Sequence, residues 1–239
     1  MTDLAEQLMD ITGQLALKTG QMQFAPPVTY VYNPLTYASD AHFKYIKKYA
    51  RKKIALWVGM NPGPFGMAQT GVPFGDVTMV RDFLKIRGAL GPLPRQHPKR
   101  PIDGFDCPRS EVSGTRLWGY AKEQFETPGQ FFRKFYVVNY CPLVFMGETG
   151  KNITPDKLPA AEQKALFATC DAALREMAVA MNARFAVGVG AFARKACERA
   201  LADTRIPTGQ MLHPSPASPA ANRGWAEAAH RQLLSLKLL

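Results

Sequence analysis

Four short apolar runs constrain this chain more than any other feature. They span residues 54–60, 136–140, 185–189 and 211–213, and stretches with helical patterning separate them. The first three are rich in β-branched or aromatic residues and have charge on at least one flank, as strands buried on both faces do. Helical patterning covers 76–87, 114–125, 159–182, 191–202 and 219–236, with Gly88 placed as a C-terminal stop for the first of these. The apolar face of the long segment 159–182 draws on Leu158, Ala161, Ala165, Ala168, Ala172 and Met181. An amphipathic helix is also expected over 2–18, with Leu4, Leu8, Ile11 and Leu15 on one face and Thr2 as its N-cap. Residues 21–40 carry prolines and tyrosines without a period and read as loop. Strands alternating with helices imply an α/β fold with a parallel sheet covered on both faces. In such sheets ligands bind beyond the carboxyl ends of the strands, so the residues just after each apolar run are the ones to inspect.

The 239 residues, 46% of them hydrophobic, suffice for one sizeable core. No low-complexity linker or internal repeat is visible, and one domain over 1–239 is the expectation. Thirty Lys and Arg against 19 acidic residues give a net charge of +11. Such basicity attracts polyanions, nucleic acid above all, although it also occurs without a specific partner. One run gathers Lys44, Lys47, Lys48, Arg51, Lys52 and Lys53; a looser one holds Arg81, Lys85, Arg87, Arg95, Lys99 and Arg100. A charge run is often only a solvated face. Cys107, Cys141, Cys170 and Cys197 form no C-x-x-C pair and match neither a zinc ribbon nor a disulfide framework. Four scattered thiolates could still hold a cluster, but Cys141, Cys170 and Cys197 lie in apolar patterns where buried free thiols are ordinary. No metal or cofactor is expected. Without a signal-peptide pattern or a bilayer-length apolar stretch, the expectation is a protein away from membranes and inside the cell: cytoplasmic or nucleoid-associated in a bacterium, nuclear in a eukaryote. A monomer is the default.

Three segments carry chemistry. After the first run comes Gly59-Met60-Asn61-Pro62-Gly63-Pro64-Phe65-Gly66-Met67, and then Gly71-Val72-Pro73-Phe74-Gly75-Asp76. This is a tight turn or an anion cradle, but neither a P-loop nor a dinucleotide fingerprint. Asn61 is its one polar side chain before Gln69. Asn139 closes the second run; its amide can donate and accept, which suits a pyrimidine edge, or it can simply cap a turn. His213 opens His213-Pro214-Ser215-Pro216-Ala217-Ser218-Pro219, a stiff loop whose hydroxyls can meet phosphates. Among acids only Asp76 accompanies these segments, which argues against a two-carboxylate sugar hydrolase. No lysine stands within them for a Schiff base, which argues against a lyase.

The first and third of these segments closely resemble the single-strand-selective monofunctional uracil-DNA glycosylases. So do Asn139-Tyr140-Cys141-Pro142-Leu143, Gly150-Lys151-Asn152-Ile153-Thr154-Pro155, Val187-Gly188-Val189-Gly190 and Asn222-Arg223-Gly224-Trp225. The resemblance implies a three-layer α/β/α fold around a central four-stranded, mainly parallel sheet. It implies that Asn61 positions the attacking water and that His213 stabilises negative charge on the departing uracil. Asn139 would read the uracil edge, Phe74 would stack on the ring, and Met60, Gly63, Pro64 and Met67 would line the pocket. Lys151, Asn152, Ser215, Pro216, Ala217, Ser218, Asn222 and Arg223 would meet DNA, single- or double-stranded. Glycine at position 63 leaves room for a 5-hydroxymethyl group. Animal members carry an arginine just after His-Pro-Ser-Pro that fills the gap of the flipped base. Ala217 stands there in this chain, with Arg223 as a neighbouring substitute. The alternatives are a glycosylase for other deaminated bases such as xanthine or hypoxanthine, a non-catalytic DNA-binding relative, and a hydrolase of free nucleosides.

Overall fold

The computed structural model describes residues 3–52 and 54–239; the expected cap Thr2 and the basic Lys53 lie outside them. The first helix, α1 (Leu4–Gly20), begins after Asp3, whose backbone N–H donates to Glu6 Oε2 at 3.3 Å. It buries Leu8 and Leu15, while Leu4 and Ile11 stay partly exposed.

The expected sheet is present. Its strands are β2 (Ala55–Gly59), β3 (Phe135–Asn139), β6 (Phe185–Val189) and β7 (Thr208–Met211), in the order β3-β2-β6-β7. All three pairings are parallel. β7 ends at Met211, so His213 lies two residues past the strand rather than at its end. Helices cover both faces, giving three layers. Trp57 turns to one face, packing on Phe131 and Phe135 beside Trp118, Tyr120 and Phe125 of the helices α5 (Val112–Phe125) and α6 (Pro128–Phe131). The other face is covered by α1, α3 (Ser39–Tyr49), α7 (Ala160–Ala180) and α8 (Ala191–Ala200). There Tyr45 packs on Tyr136, ring centroids 4.9 Å apart, and its hydroxyl donates to Val137 O at 2.8 Å. Among the described residues, no helix is long and apolar enough to cross a membrane.

Four expectations are corrected. Residues 21–40 hold β1 (Tyr30–Tyr32), α2 (Pro34–Tyr37) and the start of α3. β1 belongs to a small antiparallel sheet with β4 (Val144–Met146) and β5 (Asn152–Ile153). Three residues are too few to show a period; their partner, far along the chain, makes them a strand. The segment 76–87 widens into a π-helical turn at Met79–Phe83. Gly88 does not cap it but lets the chain pass Ala41, where a Cβ would sit 2.5 Å from the backbone nitrogen. The inward face of α7 is Leu166, Cys170, Ala173, Leu174, Met177 and Ala178, whereas Ala161, Ala165, Ala168 and Ala172 are exposed. The longer side chains take the core because they remove more apolar area from water. The segment 219–236 divides into α9 (Pro219–Asn222) and α10 (Trp225–Ser235), with Gly224 between them at φ 136°. The remaining short helix, α4 (Met67–Thr70), follows the glycine-rich loop.

The two basic runs part company. The one from Lys44 to Lys52 leads into the amino end of β2, away from the carboxyl end where ligands are expected. Lys44 pairs with Asp40, and Lys48 donates to the carbonyls of Leu84 and Lys85.

Candidate active site

At the carboxyl ends of the parallel strands lies an open cleft of about 540 Å³. β2 and β3 run in register, so Gly59 stands beside Asn139. Glycine is required there: a Cβ would clash with Asn139 Oδ1 and would lie 2.5 Å from Phe74 Cε2. The space left open is where the Asn139 amide and the Phe74 ring meet. Phe74 holds a backbone φ of 52°, a strained conformation for an aromatic residue and one that recurs at functional sites.

Asn139 Nδ2 donates to Met67 Sδ at 3.3 Å, a weak acceptor, and its Oδ1 is buried without a partner. A buried, unpaired amide oxygen is costly unless a ligand supplies the donor. Asn61 follows β2; its Nδ2 donates to Leu143 O at 3.0 Å and to Pro62 O at 3.4 Å. Both amide hydrogens are thereby engaged and Oδ1 remains an acceptor for water.

His213 reaches the cleft because Gly190 follows β6. That glycine has φ 92°, and even an added Cβ would lie 3.1 Å from His213 Cβ, so the ring crosses where any side chain would crowd it. The loop is held from three directions. Leu212 N–H donates to Gln232 Oε1 at 2.7 Å, and its carbonyl accepts from Trp225 Nε1 at 2.7 Å. Arg116 donates to Pro214 O at 3.0 Å and to Asn222 Oδ1 at 2.9 Å. Asn222 Nδ2 donates to Pro216 O at 2.9 Å.

His213 Nδ1 accepts from Ser215 N–H at 3.1 Å. Burial pushes the imidazole down to about 4. The ring is therefore neutral at pH 7 and carries its proton on Nε2, ready to donate. Any step that this neutral donor serves is expected to hold level as pH falls from about 8 to about 5 and to change only near 4, where Nδ1 takes a proton and loses the Ser215 N–H; an acid limb near 6.5, the ordinary histidine value, would contradict this. Buried His42, whose Nδ1–H donates to Gly71 O at 2.8 Å, is also held down to about 4. The unfolded chain binds more protons than the native one between about 6.5 and 4 through both rings. Their contribution to stability is complete above that window and is lost as pH falls through it. Urea unfolding at either end of the window checks the sign.

The cleft wall contains Met60, Asn61, Gly63, Pro64, Met67, Phe74, Asn139, Asn152, His213, Ser215, Pro216, Ala217 and Ser218, all singled out from the sequence. Lys151 is exposed beside Asn152. Asn222 and Arg223 do not line the cleft. Both ends of the Asn222 amide serve the loop, and Arg223 is exposed past α9. Ser218 Oγ accepts from Ala221 N–H as the cap of α9.

Glu111, Ser113, Thr154 and Arg116 are additions that sequence reasoning missed. Glu111 caps α5, accepting from Gly114 N–H at 2.6 Å and Ser113 N–H at 3.3 Å. Burial raises its carboxyl above the usual range. An acid does therefore reach the cleft, from a segment remote in sequence from the three motifs. Its one local signal was an acidic residue just before a helical pattern. Asp76, the acid noted from sequence, instead ties Ser110 and Glu111 to the turn at Met79. All four cysteines are free and buried, and among the described residues no three His, Cys, Asp or Glu side chains gather as a metal site.

A parallel sheet whose strand ends bring two amides, a neutral imidazole donor and an aromatic wall to one cleft is a site that grips a planar heterocycle by its edge. The chain belongs to the uracil DNA glycosylase superfamily, whose family model matches residues 46–234. It is 46% identical over 239 residues to the single-strand selective monofunctional uracil-DNA glycosylase of Rattus norvegicus, covering 99% of this chain and 86% of that one. The Mus musculus and Bos taurus proteins of that name are each 45% identical over the same length, with 86% and 88% of those chains covered. The crystal structure of wild-type SMUG2 from Pedobacter heparinus shares the fold, with a TM-score of 0.66 at 17% identity over 95% of this chain and 97% of that one.

Proposed function

We propose that this protein hydrolyses the N-glycosidic bond of uracil in DNA, leaving an abasic site as the first step of base-excision repair. The observation that carries this reading is the buried, unpaired Oδ1 of Asn139 in a cleft that also holds the neutral imidazole of His213. Uracil matches the pair: its N3–H donates to Asn139, and its carbonyl oxygen accepts from His213 Nε2–H.

The reaction breaks the C1′–N1 bond. The electron pair leaves with the base and positive charge builds on the sugar. His213 donates to the base oxygen where the negative charge gathers, and a preorganised donor of this kind contributes roughly 2.7–4 kcal/mol. Asn61 Oδ1 accepts from a water whose oxygen bonds to C1′; as that bond forms the water gives up one proton to solvent, and the departed uracil anion takes up one proton from solvent. An amide cannot take that proton as a carboxylate does, so most of the acceleration comes from stabilising the leaving group. Phe74 stacks on the ring. The target base first leaves the stack, which costs a few kcal/mol.

A panel of oligonucleotides containing uracil, 5-hydroxymethyluracil, hypoxanthine or xanthine, single- and double-stranded, tests the assignment through base release. Uracil is expected to lead. Single strands are expected to react faster than duplexes, because the exposed loop tip at Ala217 has no side chain long enough to fill the gap of an extruded base, and Arg223 stands off the cleft. Binding without release of any base would refute the reading. Gly63 has open space above it: an added Cβ meets nothing nearer than Glu111 Oε1 at 3.8 Å. This supports acceptance of 5-hydroxymethyluracil. Gly63→Tyr is expected to lose that substrate before uracil; equal loss of both would reject the assignment of this space to the pyrimidine C5 side.

A further inference from the structure

Two arginines at the cleft's edge have aromatic rather than acidic company. Phe65 directly follows Pro64 of the cleft wall. The guanidinium of Arg109 lies 4.2 Å from its ring centroid and that of Arg100 5.3 Å away. Among the described residues neither arginine makes an ion pair, although Asp103 and Asp106 lie in the segment between them. Arg109 is exposed and stands two residues before Glu111 of the cleft.

The edge is rigidly attached to the pocket. Fully buried Gln69 donates from Nε2 to both Pro64 O and Pro101 O at 2.9 Å. Its Oε1 accepts from the N–H groups of Asp103 and Gly104 at 2.8 and 3.0 Å. One amide thus clamps the chain around Arg100 to the glycine-rich loop. The edge also continues outward: His97 Nε2–H donates to Glu148 O at 2.9 Å, which places the loop carrying Lys99 against the loop carrying Lys151.

A guanidinium over an aromatic face is oriented by the ring without losing its charge. Among the described residues the Arg109 N–H fork donates to no protein group, while Arg100 Nη1 donates to Lys99 O at 2.8 Å and its Nε is buried, so Arg100 offers Nη2 to an anion. Positive charge interleaved with aromatic side chains is the arrangement that tracks single-stranded nucleic acid. We propose that Arg100, Phe65 and Arg109 form a phosphate-holding subsite for the single DNA strand that continues from the nucleotide in the cleft. The choice of DNA as occupant rests on the base-release reading. The unpaired charge and its attachment to the pocket do not.

The test compares the protein with an Arg100→Ala/Arg109→Ala variant. Binding to a long single-stranded, uracil-containing oligonucleotide is measured from about 50 to about 200 mM salt. Base release is measured on that oligonucleotide and on a trinucleotide centred on deoxyuridine, too short to reach the subsite. At about 0.7 per phosphate contact on a single strand, losing two contacts makes the slope of log affinity against log salt shallower by about 1.4. Activity on the long substrate falls while the trinucleotide reacts as before. An unchanged slope, or equal losses on the two substrates, would overturn the proposal. Should the unaltered protein release no uracil at all, the base-release reading fails, while the two salt slopes still decide the subsite.

Discussion

His213→Ala is expected to slow uracil release by about 10²–10³-fold while leaving binding of uracil-containing single-stranded DNA nearly intact. The reason lies in when the imidazole matters. With Nδ1 occupied by the Ser215 N–H and burial keeping the ring neutral, Nε2–H is a fixed donor that needs no rearrangement as charge arrives on the base. A neutral carbonyl gains little from it in the ground state, and an oxyanion gains much more, so the loss falls on kcat rather than on KM. The loop itself survives the substitution, since Arg116, Asn222, Trp225 and Gln232 hold its backbone and not its ring. Single-turnover kinetics beside anisotropy binding separate the two quantities. Activity close to the unaltered protein, or equal losses in affinity and rate, would remove His213 from the mechanism.

Gly59→Ala, a single methyl group far from any charge, is expected to lower base release at least as severely. The added carbon falls between Asn139 Oδ1 and the Phe74 ring. Neither gives way freely: Asn139 is in register on β3 beside Gly59, and Phe74 is buried on a strained backbone. Overpacking of this kind costs about 1–3 kcal/mol of stability, a drop of a few degrees in Tm for a chain of this size. The expected signature is a folded protein of slightly lower Tm with the base-reading amide displaced. Measuring kcat/KM with thermal unfolding distinguishes this from collapse. Retained activity would mean that the base is not held by the Asn139 amide and the Phe74 ring in the positions that Gly59 allows.

Much of this molecule is legible in its sequence. Three strands of the parallel sheet show as short β-branched and aromatic runs, because burial on both faces leaves no place for polar residues; β7, expected at 211–213, lies at Thr208–Met211, where Thr208, Gly209 and Gln210 give no such run. Asn61, Asn139 and His213 can be singled out because a parallel sheet places its ligands at the carboxyl ends of the strands, and each stands at or just past one. The resemblance then supplied roles that residue types alone left open. The face of α7 was misread because an alanine stripe and a stripe of Leu166, Cys170, Leu174 and Met177 share the helical period, and volume rather than period decides which one packs. The small antiparallel sheet escaped because β1 exists only through its pairing with β4.

The sequence by itself determined the class of fold, the basic character and the three polar groups at the strand ends. These are properties of neighbouring residues, written in local period and turn chemistry. Only the tertiary structure decided that the three groups face one cleft. It alone brought Glu111 to that cleft and Arg116 to the loop that carries His213, aligned two arginines over Phe65, and drew Asn222 into that loop. Those outcomes depend on the strand order β3-β2-β6-β7 and on contacts between segments far apart in the chain. No local pattern encodes such distances, because they arise only when the whole core packs at once.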